Sequence, residues 1–466
     1  MSVTDEGKIN RGAARIDSPD AAIAAAEELA VRFASDAADR DLDRRLPYGE
    51  IDTLARSGLL AITVPAEYCG PDLAPSVVAE VTRILATADP NIAQIPHSHF
   101  VYLNLLRLAG SEPLARKHFS AVLEGARIAN AQSERGGATI ADIATTLRAV
   151  PGGGVVPGGG LVLEGEKFYA TGSLFADTLA VLARYDGVGA DESTDAEEGG
   201  AGELLAPGEY VAFIRADAAG VEVIDDWDAL GQRTTGSGTV RFSQVAVSVD
   251  DVVGRAAVVA EPTGYGAFAQ LLHVAIDVGI ARGALDAAIE FVRTSSRPWF
   301  EAGVARAVDD ELLVQRFGEL GVDLIAAEAT LAAAARAVDR ATGYAATSGA
   351  SGLGAGQPGA GQTGAGQTGA GQPRGGEVDS DAHRHVVAEA SIAVAAAKVV
   401  ADRVANDLSA AVFEVSGTRS AAAGTGLDRF WRNARTHTLH DPVRWKLQHI
   451  GRWILRNQYP PVHGVI

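Results

Sequence analysis

The chain has 466 residues, 47% of them hydrophobic, a formal net charge of −19 and a single cysteine, Cys69. At roughly 100–200 residues per domain that length allows about two to four domains, and the hydrophobic content excludes wholesale disorder. The acidic balance argues against nucleic acid or an anionic membrane as partner, and one cysteine excludes an intramolecular disulfide or a thiolate metal cage.

The opening M-S-V-T-D-E-G-K-I-N carries acids and no apolar core, so no secretory signal is expected. No uninterrupted apolar run reaches the ~18–20 residues that span a bilayer, and a soluble cytoplasmic protein is the expectation. From Ser18 to Ala126 the sequence reads as helices. Asp20 to Ala37 has a helical apolar period behind a Ser18-Pro19 start, and Leu46 to Leu60 is a further helix closed by Gly58. Val77 to Ala88 and His99 to Leu108 follow. Near Ala126 the period changes to two, in T-L-R-A-V, L-V-L-E-G-E-K-F-Y-A, T-L-A-V-L-A-R-Y, Y-V-A-F-I-R-A, V-E-V-I and T-V-R-F-S-Q-V-A-V. Short strands between Gly- and Asp-rich turns suggest a small β-barrel or sandwich, with Pro151 to Gly160 as one turn and Asp186 to Gly208 as an acidic surface loop. From Ala267 the helical period returns in Gln270 to Thr294, Leu312 to Thr342 and Ser380 to Thr418. Between the last two stands a tandem Gly-Ala-Gly-Gln repeat, Gly354 to Pro373, whose composition cannot bury a core; residues 341–379 are expected to be a disordered loop. The order is an α+β protein with three parts: an N-terminal helical domain (18–126), a central β-domain (127–255) and a C-terminal helical bundle (262–466).

The chemistry offered by single motifs is limited. No G-x-G-x-x-G lies between a strand and a helix, and no G-x-S-x-G elbow occurs. His97 with His99, or His437 with His440, lacks the carboxylate motif of a metal site, so no metal is expected. The segment Asp428 to Lys446 gathers five basic residues, two histidines and two aspartates. It reads equally as an amphipathic terminal helix with a solvated basic face or as a proton-transfer site in which Asp441 orients a histidine. N-A-Q-S-E-R-G (130–136), E-K-F-Y-A-T-G (166–172) and D-D-W-D-A-L-G-Q-R-T-T-G-S-G-T (225–239) are each, alone, better read as turn chemistry, although together they offer small polar groups to a flat heterocycle and its phosphate. Trp227 alone reads as core.

In combination and in this order, these segments resemble the acyl-CoA dehydrogenase superfamily. The carriers are G-L-L-A-I-T-V-P-A-E-Y-C-G, G-E-K-F-Y-A-T-G, L-G-Q-R-T-T-G-S-G-T-V-R-F-S-Q-V-A-V and I-A-R-G-A-L-D-A-A-I-E-F-V. The resemblance implies an N-terminal helical domain, a central β-barrel domain and a C-terminal four-helix bundle. S-S-R-P-W, F-E-V-S-G-T-R-S and D-R-F-W-R-N-A-R-T-H-T-L-H-D-P are similar to the flavin-dependent monooxygenase branch, which includes dibenzothiophene monooxygenase and the sulfur-acquisition oxidoreductases. That likeness implies reduced FMN from a separate NAD(P)H-dependent reductase, with FAD as the alternative, and a homotetramer acting on a small organosulfur molecule and O2. Flavin would be held by Asn130, Ala131, Gln132, Ser133, Glu134 and Arg135, and by Lys167, Phe168, Tyr169, Ala170 and Thr171. Arg297, Thr418 and Arg419 would complete the site, some from a neighbouring subunit, with Trp227 and Ser237 near the ring. His440 falls where a histidine serves oxygen activation and touches the cofactor, with His437 beside it. Asp441 falls by spacing where classical dehydrogenases carry their glutamate base. An FAD-dependent acyl-CoA dehydrogenase using Asp441, and a non-catalytic flavin-binding protein, are the alternatives. Ser98 stands where dibenzothiophene monooxygenase has tyrosine, which implies the sulfur-acquisition subgroup and a substrate other than a fused thiophene.

Overall fold

The computed structural model describes residues 12–150, 160–187, 205–344 and 380–463. The Gly-Ala-Gly-Gln repeat, and with it the expectation of a disordered loop, lies outside these residues, as do most of the turn at 151–160 and of the acidic insert. Ahead of the sheet come α1 (Pro19–Ala34), α2 (Ala37–Leu42), α3 (Tyr48–Arg56), α4 (Pro75–Ala88), α5 (Pro90–Gln94), α6 (His97–Ala109) and α7 (Glu112–Leu123). Helix α1 starts as its sequence dictates: the Ser18 side chain accepts from Ala21 N–H, and Pro19 takes the first helical position. Helix α3 stops earlier than its apolar period. It ends at Arg56, Gly58 turns the chain at φ 82°, and Leu59–Ala61 forms one 3-10 turn.

The period-two stretches join one eight-stranded sheet. Its strands are β1 (Ile128–Ala131), β2 (Thr146–Ala149), β3 (Leu161–Lys167), β4 (Thr178–Tyr185), β5 (Gly208–Arg215), β6 (Val221–Ile224), β7 (Thr239–Val247) and β8 (Val252–Gly254). The order is β6-β7-β3-β2-β4-β5-β8; the end strands β6 and β8 are not paired with each other among the described residues. Strand β4 is the hinge of the layout. One edge takes β5 antiparallel; the other is shared, with β1 parallel along Thr178–Val181 and β2 parallel at Arg184 and Tyr185. Because β1 stops at Ala131, the chain beyond it leaves the sheet and bridges Ser133 to Phe168 at the end of β3. A register shift between Leu163 and Gly165 bends β3 toward the same place. Gly165 is required there: φ is 151°, and a Cβ would lie 2.4 Å from Thr145 Oγ1.

After the sheet come α8 (Ala256–Val259), α9 (Tyr265–Thr294), α10 (Glu311–Ala341), α11 (Ser380–Ser416), α12 (Asp428–His437) and α13 (Val443–Arg456). Three long helices make the bundle, and the broken pair α12–α13 closes it on α11. Helix α10 runs to Ala341, and Tyr344 donates to Asp72 at 2.6 Å, so the first residues of the expected 341–379 loop are anchored. The apolar core is continuous from α1, α3 and α4 into α9, α10 and α11. Helix α9 lies against α4 at glycines: a Cβ on Gly279 would meet Ala86 Cβ at 2.5 Å, and one on Gly283 the Thr87 carbonyl at 2.5 Å. By length and composition α9 could cross a membrane, although polar residues interrupt its apolar run, and 94% of its most apolar window is buried inside the fold, as in a core helix.

Candidate active site

The three parts meet around one cavity of about 130 Å³. Helices α5 and α6 give Gln94, His97, Ser98 and Tyr102; the end of β1 gives Asn130, with Gln132 just beyond; Thr171 follows β3. Val211 and Val259 add apolar wall, the first turns of α9 give Tyr265, Gln270 and His273, and the turn after α12 gives His440.

Three amide side chains, Gln94, Asn130 and Gln270, and the guanidinium of Arg255 put polar groups on this otherwise largely apolar wall. Asn130 Oδ1, Gln94 Oε1 and Gln270 Oε1 are buried without a partner. Buried polar groups are seldom left so, and three such amides around one cavity mark a place where a polar group is received. Thr171 adds an acceptor through a directional chain. Thr235 donates to Gln232 O at 3.0 Å, and Ser237 lies 2.6 Å from Thr235 and 2.8 Å from Thr171. Each hydroxyl has one proton, so Ser237 donates to Thr235 and Thr171 donates to Ser237. The Thr171 oxygen is left with its lone pairs for the cavity.

The other expected flavin residues divide into three groups. Ala131 and Ala170 are fully buried and offer backbone only. Lys167 is fully buried too, and its ammonium is spent internally, 2.6 Å from Glu134 Oε1 and 3.1 Å from Gln132 O. Burial lowers the Lys167 pKa against the pull of Glu134, while Glu134 also receives the backbone N–H groups of Ala144 and Thr145. This pair braces the segment 132–135 rather than meeting a ligand. Lys167→Met should therefore raise amide exchange across residues 132–145 and weaken binding of the expected flavin about tenfold, the effect of one lost charge-assisted bond of about 1.5 kcal/mol. Hydrogen-exchange mass spectrometry and a flavin titration check it; unchanged exchange would sink the bracing role. Further out, Ser133 is exposed, and Arg135 lies 4.3 Å over the Phe168 ring and 5.5 Å over Tyr169. Tyr169 meets Trp227 edge to face at 6.0 Å, giving an open aromatic rim. Trp227 is half-buried, and its indole N–H donates to Gln232 O at 2.7 Å.

Arg297, Thr418 and Arg419 are exposed at the opposite end of the bundle, where Arg419 donates to Ser295 O at 2.9 Å. The cavity uses the start of α9, and a helix of 30 residues is about 45 Å long. These three residues cannot reach the cavity of their own chain.

The tail segment is not one helix. Helix α12 ends at His437, and residues 438–442 turn before α13. Asn433 clasps the loop after Trp227, accepting from Gln232 N–H at 2.6 Å, and Arg432 pairs with Asp41 of α2 and with Asp428 at 2.8 Å. The turn leaves His440 open to the cavity, its ring 4.2 Å from that of His273. Crowding by surrounding protein lowers the His440 pKa against the pull of Asp441, and contact with solvent tempers that shift. Asp441 itself is buried with Oδ2 unpartnered and does not line the cavity.

His437 points away from the cavity, into a buried polar chain that no motif announced. Lys398 Nζ on α11 lies 2.6 Å from Asp277 Oδ2 on α9, Asp277 Oδ1 lies 2.5 Å from His437 Nδ1, and His437 Nε2 lies 3.1 Å from His273 Nδ1. The His273 ring then stacks on His97 at 3.9 Å, and His97 Nε2 contacts Ala269 O at 2.9 Å. Burial raises the Asp277 carboxyl, but Lys398 and His437 outweigh it and hold it at about 2. Burial lowers His97 to about 3 and His273 well below its ordinary value. Among the described residues no group of three or more His, Cys, Asp or Glu side chains is arranged to hold a metal ion.

Comparison with known proteins bears on both fold and chemistry. The family described as "Acyl-CoA dehydrogenase, N-terminal domain" matches residues 20–126, and "Acyl-CoA dehydrogenase, C-terminal domain" matches 271–353 and 375–445. The dibenzothiophene monooxygenase of Rhodococcus qingshengii is 30% identical over 445 residues, 94% of this chain and 94% of its own length. The probable FMNH2-dependent monooxygenase SfnC of Pseudomonas putida is 28% identical over 450 residues, covering 95% of this chain and 96% of its own. The crystal structure of TdsC from Paenibacillus sp. A11-2 with FMN and indole is similar with a TM-score of 0.77 and 29% identity, over 96% of this chain and 99% of that one.

Proposed function

The chain belongs to the acyl-CoA dehydrogenase family, and from that premise we propose that it is a reduced-FMN-dependent monooxygenase that adds one oxygen atom of O2 to a small organosulfur substrate. The observation that carries this reading is the cavity bounded by His97, His273 and His440, with unpartnered amides and the Thr171 hydroxyl in its wall. Reduced FMN supplies the two electrons needed to place one oxygen atom on substrate and release the other as water. The chain's own residues fit such a group. Asn130 and Thr171 would hydrogen-bond the N–H edge of a reduced heterocycle, with Ser237 holding Thr171 in place, and Arg135 and Ser133 on the exposed rim would meet a phosphate. Val101, Leu105, Val211 and Val259 keep the cavity poor in water and suit an apolar thioether or sulfinate carbon chain.

The position of Asp441 disfavours the acyl-CoA dehydrogenase reading, because His440 and not Asp441 faces the cavity. FMN is the cofactor on this reading, consistent with the FMNH2-dependent relative and the FMN complex of TdsC. A cavity of about 130 Å³ is too small to enclose a flavin, since pockets that surround a drug-sized ligand hold about 300–1,000 Å³. Arg297, Thr418 and Arg419, remote from their own cavity, would complete that of another copy, in a homotetramer. A separate NAD(P)H-dependent reductase would deliver the flavin, and the pair would work in the cytoplasm.

The Thr171 hydroxyl offers the cavity lone pairs only, which favours reduced flavin, with its extra N–H, over oxidised flavin. Anaerobic titration should show FMNH2 bound roughly tenfold more tightly than FMN, the worth of about one net hydrogen bond. With a flavin reductase and O2, a panel of sulfides, sulfoxides and sulfinates should yield a product heavier by one oxygen in mass spectrometry. Tight flavin binding with no oxygenated product from any member, or bleaching of bound flavin by acyl-CoA thioesters, would overturn the assignment.

A further inference from the structure

The chain Lys398–Asp277–His437–His273 joins four polar side chains, each at most 3% exposed, inside an otherwise apolar helical core. Burying a lysine and a carboxylate costs free energy that packed apolar residues of like size would not, so their presence calls for a role. Hydrogen-bond bookkeeping gives one. Asp277 is ionised and can only accept, so the bond of 2.5 Å places a proton on His437 Nδ1. The charge of Asp277 is already balanced by Lys398, and a second proton on His437 would add an unmatched positive charge to a site closed to water. His437 Nε2 is then an acceptor, and the bond of 3.1 Å requires His273 to donate from Nδ1. In a neutral imidazole that leaves Nε2 of His273 as a lone pair, and His273 lines the cavity.

We infer that Lys398, Asp277 and His437 are positioning residues that lock His273 in one ring tautomer and present its Nε2 as a hydrogen-bond acceptor beside the oxygen-transfer site. The inference rests on the monooxygenase reading for the purpose of the relay, but not for its existence. Other titratable groups face the chain: His97 and His440 beside His273, and Asp402 and Arg435 around the Lys398–Asp277 end. Of these only the two histidines touch His273, through ring faces. The low pKa that burial gives His273 agrees with a neutral ring.

The device has a signature that a purely structural ion pair lacks. Removing the cation in Lys398→Met leaves Asp277 to be balanced by His437, which then takes a second proton. The bond to His273 reverses, and the single proton of His273 moves from Nδ1 to Nε2. Lys398→Arg keeps the charge and should keep the tautomer. The test is histidine-selective 15N NMR on the flavin-free full chain, whose ten histidines give few signals, with H273Q and H437Q as assignment controls. The expected result is His273 protonated at Nδ1 in the wild type and in K398R, and at Nε2 in K398M. Should K398M fail to fold, the wild-type spectrum still decides. His273 protonated at Nε2, or exchanging between tautomers, in the wild type overturns the relay, as does a K398M protein with unaltered signals. In turnover with the reductase and a sulfide, K398M should lose about tenfold or more in oxygenated product while K398R stays within about threefold. A wild type with the expected tautomer that oxygenates nothing would sink the functional reading and leave the relay standing. Oxygenation by a wild type with the opposite tautomer would do the reverse.

Discussion

Asp277→Ala is expected to destabilise the protein by about 3–5 kcal/mol, the cost of leaving a buried charge without its partner. Lys398 and Asp277 are both fully buried and 2.6 Å apart, and Asp277 also receives His437. Alanine strands the ammonium where neither water nor another carboxylate reaches it at hydrogen-bond distance. The double variant Asp277→Ala/Lys398→Met should recover most of the loss, because removing both partners abolishes the desolvation penalty along with the attraction. By contrast the exposed pair Arg116–Glu112, with each side chain 61% accessible, should be removable with no measurable change. Urea unfolding of the four proteins measures this, and a single Asp277→Ala variant within ~1 kcal/mol of wild type would refute it. The pH dependence has a definite sign. The folded pKa of about 2 lies below the ordinary 3.8, so the stabilisation from Asp277 is complete above about pH 4 and is lost as pH falls from there toward 2. Asp277→Asn should flatten that part of the acid limb.

The two histidines of T-H-T-L-H-D-P could be found in the sequence because they stand in a dense polar run; their separate duties could not. One turn of chain after α12 sends His440 to the cavity and leaves His437 facing the core, and a helix drawn through both would have put them on one face. His273, Asp277 and Lys398 belong to no motif. They are single polar residues in L-L-H-V-A-I-D-V-G-I and A-V-A-A-A-K-V-V, 121 positions apart for the ion pair. A signal was nonetheless present: opposite charges at apolar-period positions of two core helices must find each other, since neither can stay buried alone. The strands were legible from alternation, except β8, only three residues long, and β1, whose I-A-N-A is apolar at three of its four positions and does not alternate. Strand β1 was the costly omission, because its end at Ala131 is what brings Asn130 and Gln132 to the cavity. Lys167 shows the opposite limit. Its place in E-K-F-Y-A-T-G suggested a ligand contact, while its burial under Glu134 makes it a brace.

The division of labour between His440 and the buried chain leads to the second large effect. His440 is open to the cavity, and among the described residues its side chain meets only the rings of His273 and His437, so it is able to approach a bound molecule. His273 is fixed through its Nδ1, so of the two rings facing each other at 4.2 Å only His440 can turn to hand over a proton. His440→Ala should lower the rate of oxygenated product formation by about 100-fold or more, the usual worth of a positioned proton donor. Flavin affinity should change by no more than about threefold, because the acceptors Asn130 and Thr171 lie on other elements. Oxygen uptake should continue, with the electrons of FMNH2 appearing as hydrogen peroxide in place of water and oxygenated product. His437→Ala should behave differently: it cuts the buried chain, and its loss of activity should come with a loss of stability that His440→Ala does not show. Parallel assays of peroxide, product and urea midpoint separate the two. Wild-type product formation by His440→Ala would remove it from the reaction.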